Sequence, residues 1–386
     1  MIKTRIGVVT GSRAEYGLLY GIMRELQAAP EMELQVIVTG MHLCGEFGLT
    51  YRTIVEDGFE IAEKVEMLLA SDTPVGAVKS VGLGMIGFAD TLQRLRPDCI
   101  VVLGDRFEIW AAAAAAYMAQ IPIIHIGGGD VTEGAFDEGI RHGITKMARL
   151  HFVTNELSRE RVCQLGENPA HVVNVGHPGI ERILHMPLLN REEVQRKLGF
   201  RLRARNVLVT YHPETLGGKE AEADMEQLLE ALDRLGDGTG ILMTRPNADP
   251  GGRQLARLLE AFAHRREHVG LYTTLGQLLY FSTARYMDAV VGNSSSGICE
   301  IPALHIPTVD IGDRQKGRLR GNTVIHCEAR ADAIVAAIRQ AYAMDCTQVV
   351  NPYGAGISSK RMMTELTNYA ANRSKDRPKT FFRVGN

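Results

Sequence analysis

Four stretches of this 386-residue chain gather groups that suit an anionic, oxygen-rich ligand. "VVTGSRAEYG" ends an apolar run in glycine, a polar bend and Arg13, and "VVLGDRFE" delivers Asp105 and Arg106. "HIGGGDVTEGAFDEGIRH" carries Asp130, Asp137, Glu138 and Arg141, and "VVGNSSSGICE" runs through Asn293, Ser294, Ser295, Ser296 and Gly297 to Glu300. An arginine where a buried strand turns into a helix meets the same ligand that the unpaired N–H groups of a helix start favour, which is an anion. The hydroxyl run in "GNSSSG" reads as a phosphate turn or, more plainly, as an N-cap with extra serines. Glu300 could accept from two adjacent ribose hydroxyls, or simply be a carboxylate near a helix N-terminus. Asp137 and Arg141 share a helix face at i and i+4, and an exposed ion pair there is worth a few tenths of a kcal/mol.

The elements that must position these groups follow from the hydrophobic pattern. Short apolar runs at 5–10, 33–39, 99–103, 121–126, 150–154 and 171–175 alternate with helical patterns, and a second series follows at 206–211, 239–244, 268–272, 286–291 and 307–311. This alternation predicts α/β architecture, with two Rossmann-like domains facing across a cleft. The expected boundaries are 1–185 and 186–357, the polar stretch at 186–205 linking them, with a helix at 358–374 returning to the first domain. The final dozen residues read as a loose tail. Ligands of open α/β sheets bind beyond the carboxyl ends of strands. The residues found there are Arg13, Asp105, Arg106, His125 and Asp130 in the first half, and His212, Glu214, Arg245, Asn293 to Ser296, Asp313 and Arg314 in the second.

Gly82, Gly84 and Gly87 spell a dinucleotide fingerprint, with Asp105 at nearly the right distance. The stretch before them reads as a helix start, with Ser71 or Asp72 as cap, and not as the strand that motif needs. Lys and Arg number 43 against 45 Asp and Glu, so the net charge of -2 provides no field to hold nucleic acid or an anionic membrane. The six cysteines lack metal-ligand spacing and are expected to be reduced. No metal or cofactor is expected. MIKTRIGVVT enters a strand directly and no apolar run reaches the roughly 18 residues of a span, so a cytoplasmic protein is expected.

Together "VTGSRAEYG", "VTGMH", "LGDR", "HIGGGD", "DEGIRHGITKMARLHF", "YHPET", "GNSSSGICEIP" and "IGDRQKGRLRG" resemble the hydrolysing UDP-N-acetylglucosamine 2-epimerases of bacterial sialic acid pathways. The resemblance spans roughly residues 5–330. It implies the two-domain GT-B arrangement, a UDP-sugar substrate, no second acceptor, and a homodimer or homotetramer. By that likeness Arg13 contacts the diphosphate, Ser294 and Ser295 the phosphate, Glu300 the ribose, Arg314 the nucleotide end, and His212 the phosphate bonded to the sugar. Asp105, Asp137, Glu138, Arg141 and Asp130 surround the ring, with Asp105 acting on the sugar, Asp137 as its acid/base partner and Arg141 orienting the pair. Two departures stand out: Gly127 replaces a glutamate or histidine, and Asp130 a longer glutamate. Relatives in legionaminic acid synthesis run the same reaction on 2,4-diacetamido-trideoxy sugars, and the remaining alternatives are a GT-B glycosyltransferase and a non-catalytic nucleotide-sugar-binding protein.

Overall fold

The valines of the first strand point two ways. Val8 packs with Leu19, Ile22 and Met23, whereas Val9 packs with Phe88, Ile100 and Val102. A strand buried on both faces belongs inside a parallel sheet covered by helices on either side. The computed structural model, which describes residues 3–71, 73–131, 137–212, 218–245, 252–264, 266–372 and 379–383, bears this out.

The chain divides between Arg182 and Ile183, and again between Ala355 and Gly356. The first unit holds β1 (Thr4–Thr10), β2 (Met32–Thr39), β3 (Ile61–Val65), β4 (Cys99–Leu103), β5 (Ile123–Ile126), β6 (Leu150–Val153) and β7 (Val172–Asn174). They form one parallel sheet in the order β3-β2-β1-β4-β5-β6-β7. The second unit holds β8 (Arg205–Thr210), β9 (Thr239–Thr244), β10 (Val269–Tyr272), β11 (Ala289–Gly292), β12 (Thr308–Ile311) and β13 (Val324–Cys327), ordered β10-β9-β8-β11-β12-β13. Each sheet reverses direction at its centre, between β1 and β4 in one and between β8 and β11 in the other. These are the switch points at which such folds place ligands.

Helix Pro74–Leu95 contains Gly82, Gly84 and Gly87, so they form no nucleotide loop. They serve packing instead. A Cβ at Gly84 would come within 3.0 Å of Ala111 in the alanine-rich helix Phe107–Met118, and one at Gly87 within 2.8 Å of Val65. The cap of this helix differs from the sequence reading. Thr73 takes the N-cap position and accepts from the Gly76 N–H at 3.1 Å, while Ser71 hydrogen-bonds the Thr73 hydroxyl, and Asp72 lies outside the described residues. By length and composition this helix could cross a membrane, whereas no such run stood out in the sequence. Gly76, Ser80, Gly84, Phe88, Thr91 and Leu92 are its buried positions, and Val75, Val78 and Ile86 are exposed.

Helix Ser358–Asn372 lies in the first unit, with Met362 and Leu366 in the same core cluster as β1. Beyond it, the described residues 379–383 are anchored, where a loose tail was expected. Lys379 Nζ donates to the carbonyls of Lys146 and Ala148, each at 2.6 Å, and pairs with Glu167 at 2.6 Å. The Phe382 N–H donates to the Gly166 carbonyl at 2.9 Å. Burial alone would raise Glu167, but hydrogen bonds from His151, Lys146 and Lys379 outweigh it and bring the carboxyl down to about 2.

Candidate active site

At the first switch point, β1 ends in Gly11 and Ser12, whose hydroxyl caps helix Arg13–Ala28 by accepting from the Glu15 N–H at 3.4 Å. Arg13 is the exposed first residue of that helix. From β4, Gly104 in the left-handed region (φ 76°) turns the chain into Asp105 and Arg106. Helix Asp137–Met147 brings the third group. Its Arg141, 7% exposed, reaches off its own helix to pair with Asp105 and to donate to the Asp130 carbonyl at 2.5 Å. Asp137 is open to solvent on one side, yet partial burial and the neighbouring Asp105 raise its carboxyl above the ordinary range. Glu138 sits 3.5 Å from His142 on the same helix.

The Asp130 carboxylate is engaged at the other end of its loop, accepting from Ser158 at 2.6 Å and Thr154 at 2.9 Å. It anchors the glycine loop to the helix after β6. Gly127 has φ 83° with open space around its absent Cβ, so a side chain there would meet no clash but would carry the cost of a left-handed backbone. His125 is sealed at 0% exposure: its Nε2–H donates to the Gly104 carbonyl at 2.9 Å and its Nδ1 lies 3.1 Å from Thr145 Oγ1. Burial drives it to about 3, so it is neutral and ties the Asp105 turn to the Arg141 helix.

In the second unit Gly292 has φ 139°, and a Cβ there would strike the Thr210 carbonyl, so only glycine closes β11 against β8. Asn293, wholly buried, then staples the two strand ends: its Oδ1 accepts from the His212 N–H and its Nδ2 donates to the His212 carbonyl, both at 2.8 Å. Its own carbonyl accepts from Arg314 at 3.0 Å and from Gln315 at 2.9 Å. Asn293 is therefore a scaffold for His212 and Arg314, and its side chain is taken up by the protein. Ser294 stands at the N-cap of the short helix Ser295–Cys299 without a side-chain cap bond, and Ser294, Ser295 and Ser296 are part-exposed. Gly297 backs onto Thr308, and Glu300 closes the helix, part-exposed. Glu214 lies outside the described residues.

Known proteins place this arrangement. The family model for UDP-N-acetylglucosamine 2-epimerase matches residues 24–367. A Campylobacter jejuni protein named GDP/UDP-N,N'-diacetylbacillosamine 2-epimerase (hydrolyzing) is 40% identical over 329 residues, 85% of each chain. The chain belongs to the hydrolysing UDP-N-acetylglucosamine 2-epimerase family. The Escherichia coli polysialic acid biosynthesis protein P7 is 35% identical over 96% of each chain. A crystal structure of the Neisseria meningitidis UDP-GlcNAc 2-epimerase bound to UDP-GlcNAc superposes with a TM-score of 0.82 at 18% identity, covering 95% of this chain and 100% of that one, which is a likeness of fold.

The sequence missed two groups that shape this epimerase's site. Glu15 and Glu108 are 5% and 0% exposed and both face Arg106, whose Nε lies 2.5 Å from Glu108 Oε1 and 3.6 Å from Glu15 Oε1. Glu15 Oε2 also accepts from the Gly11 N–H at 2.7 Å. In sequence Glu15 is an ordinary first-turn acid and Glu108 an ordinary helix start, and only a glutamate placed two residues after an arginine hinted at the pair. His42, also buried, lies 3.1 Å from Thr10 Oγ1 and 2.7 Å from Thr50 Oγ1, and burial holds it neutral at about 4.

Proposed function

We propose that this epimerase converts UDP-N-acetylglucosamine to UDP and free N-acetylmannosamine. The observation that carries the reading is the pairing of Asp105 with buried Arg141, next to Asp137 with its raised carboxyl, at the switch point of the first sheet. A carboxylate held in an ion pair beside a second carboxyl that is raised above its ordinary range suits a division into base and acid roles. Asp105, the carboxylate of the ion pair, stabilises a cationic ring. Asp137, raised by partial burial and by Asp105, is the better proton carrier of the two.

The C2–H of an N-acetylhexosamine is not acidic, so the chemistry begins at the other bond. UDP leaves carbon 1, which makes the ring oxocarbenium-like, and a carboxylate then takes the C2 proton to give a glycal. Water adds across that double bond and delivers the epimer. In the α-gluco substrate the C1–O bond and the C2–H are both axial and opposed, as anti elimination requires. Arg13 and Arg106 are assigned to the diphosphate, Ser294, Ser295 and His212 to phosphate, and Arg314 to the nucleotide end. Glu300 is assigned to the ribose.

A second reading has the same residues act on UDP-N,N'-diacetylbacillosamine, and it is favoured by the 40% identity to the Campylobacter protein. The Escherichia coli relative, matched over 96% of both chains, supports the first. Both nucleotide sugars, incubated separately in deuterium oxide, separate the readings. The true substrate releases UDP and a free epimer labelled at carbon 2, while the other is returned unchanged. Release of UDP without label at carbon 2 would remove the elimination route.

A further inference from the structure

Two buried carboxyls that the reaction above does not use, Glu15 from the helix after β1 and Glu108 from the helix after β4, meet one guanidinium, Arg106. Because Arg106 Nε touches both, their Oε1 atoms are no farther apart than the sum of those two distances. Glu15 Oε1 and Glu108 Oε2 are buried and make no hydrogen bond among the described residues. The glycines around them leave no room to swing away: a Cβ at Gly11 would sit 2.5 Å from Glu108 Cγ, and one at Gly40 3.2 Å from it. Two buried anions against one cation leave an uncompensated charge in a dry place, and the usual resolution is that one carboxyl keeps its proton.

We propose that Glu15 and Glu108 hold a single proton between them, and that this proton makes Glu15 a positioning residue: while it is present, Arg106 is free to attract the anionic substrate. Burial and the Glu108 carboxylate push Glu15 up to about 8, against the opposing pull of the Gly11 N–H and Arg106. Asp137 also couples to Arg106. Loss of the proton above neutral pH adds a negative charge behind Arg106, draws the guanidinium inward and opposes binding of a diphosphate. The effect therefore falls on KM more than on kcat.

The rate part rests on the UDP-sugar reading, and the stability part does not. Glu15→Gln keeps the neutral shape at every pH. It is expected to flatten the alkaline limb, raising the ratio of kcat/KM at pH 9 to that at pH 7 at least five-fold over the parent, with the change in KM. Melting temperature gives the second arm: the parent falls relative to Glu15→Gln as pH rises from 5 to 8. Glu108→Gln, which leaves Glu15 alone with Arg106, shrinks that fall as well. Equal pH 9 to pH 7 ratios together with a pH-independent gap in melting temperature overturn the proposal. Absence of UDP release from either sugar nucleotide at any pH marks failure of the substrate reading instead, and the melting arm then decides the proton.

Discussion

Asp105 and Asp137 differ in what holds them, and that difference is testable one atom at a time. Asp105→Asn keeps the shape but takes the charge from Arg141, and kcat is expected to fall by about 100-fold or more. Asp137→Asn removes a proton carrier without breaking that pair, so kcat falls while the melting temperature stays within about two degrees of the parent. Steady-state UDP release and a thermal melt on the same samples check both. Asp105, Asp137 and Arg141 were legible because each directly follows a strand or lies on the helix after the glycine loop. His125 was visible as a strand end, but its role was not, since only the fold shows that it is sealed between Gly104 and Thr145. Glu15 and Glu108 were illegible for a similar reason: a carboxylate in a first helical turn is ordinary until the topology buries two of them on one arginine.

At the level of elements, most strands read from the sequence are unbroken apolar runs buried along their length, although the part-exposed edge strands β7 and β10 were read as well. β3 and β13 escaped because their apolar runs are broken or weakly buried: IAEKV is half exposed and carries two charges, and VIHC is only partly buried. An edge strand needs one apolar face at most, and five residues cannot show that period convincingly. The second unit's serine turn depends on one junction between elements. Gly292→Ala forces a Cβ onto the Thr210 carbonyl, with an expected loss of at least about 2 kcal/mol. Asn293→Ala leaves the His212 N–H and carbonyl without their partner, at about 1–3 kcal/mol for each buried group. Urea unfolding followed by far-UV dichroism measures both, and a loss below about 0.5 kcal/mol in either would contradict the scaffold role.

Across the whole molecule, buried titrating groups set opposite slopes of stability with pH. His42 and His125 are lowered from 6.5 to about 4 and about 3 by burial, so below pH 6.5 the unfolded chain binds protons that the folded one does not, and stability falls with acid. Glu167, lowered from 4.5 to about 2, adds to this loss as pH drops below 4.5. Glu15 acts the other way: raised from 4.5 to about 8, it keeps a proton that the unfolded chain gives up, so its contribution declines as pH rises between those values. The melting temperature is therefore expected to peak between about pH 6 and 7 and to fall on both sides, in a scan across constant ionic strength. Saturating UDP at 100 times its Kd should add about 2.7 kcal/mol at any pH where it binds.

The return of Ser358–Asn372 to the core built on β1, and of Lys379 to Glu167, has a consequence for synthesis on the ribosome. Domains usually close in the order in which they are translated. Here the segment Ile183–Ala355 emerges whole and can complete its sheet while the earlier one still waits for a helix not yet made. The half of the nascent chain that is born first is finished last, and until then Met23 and its neighbours lack their cover.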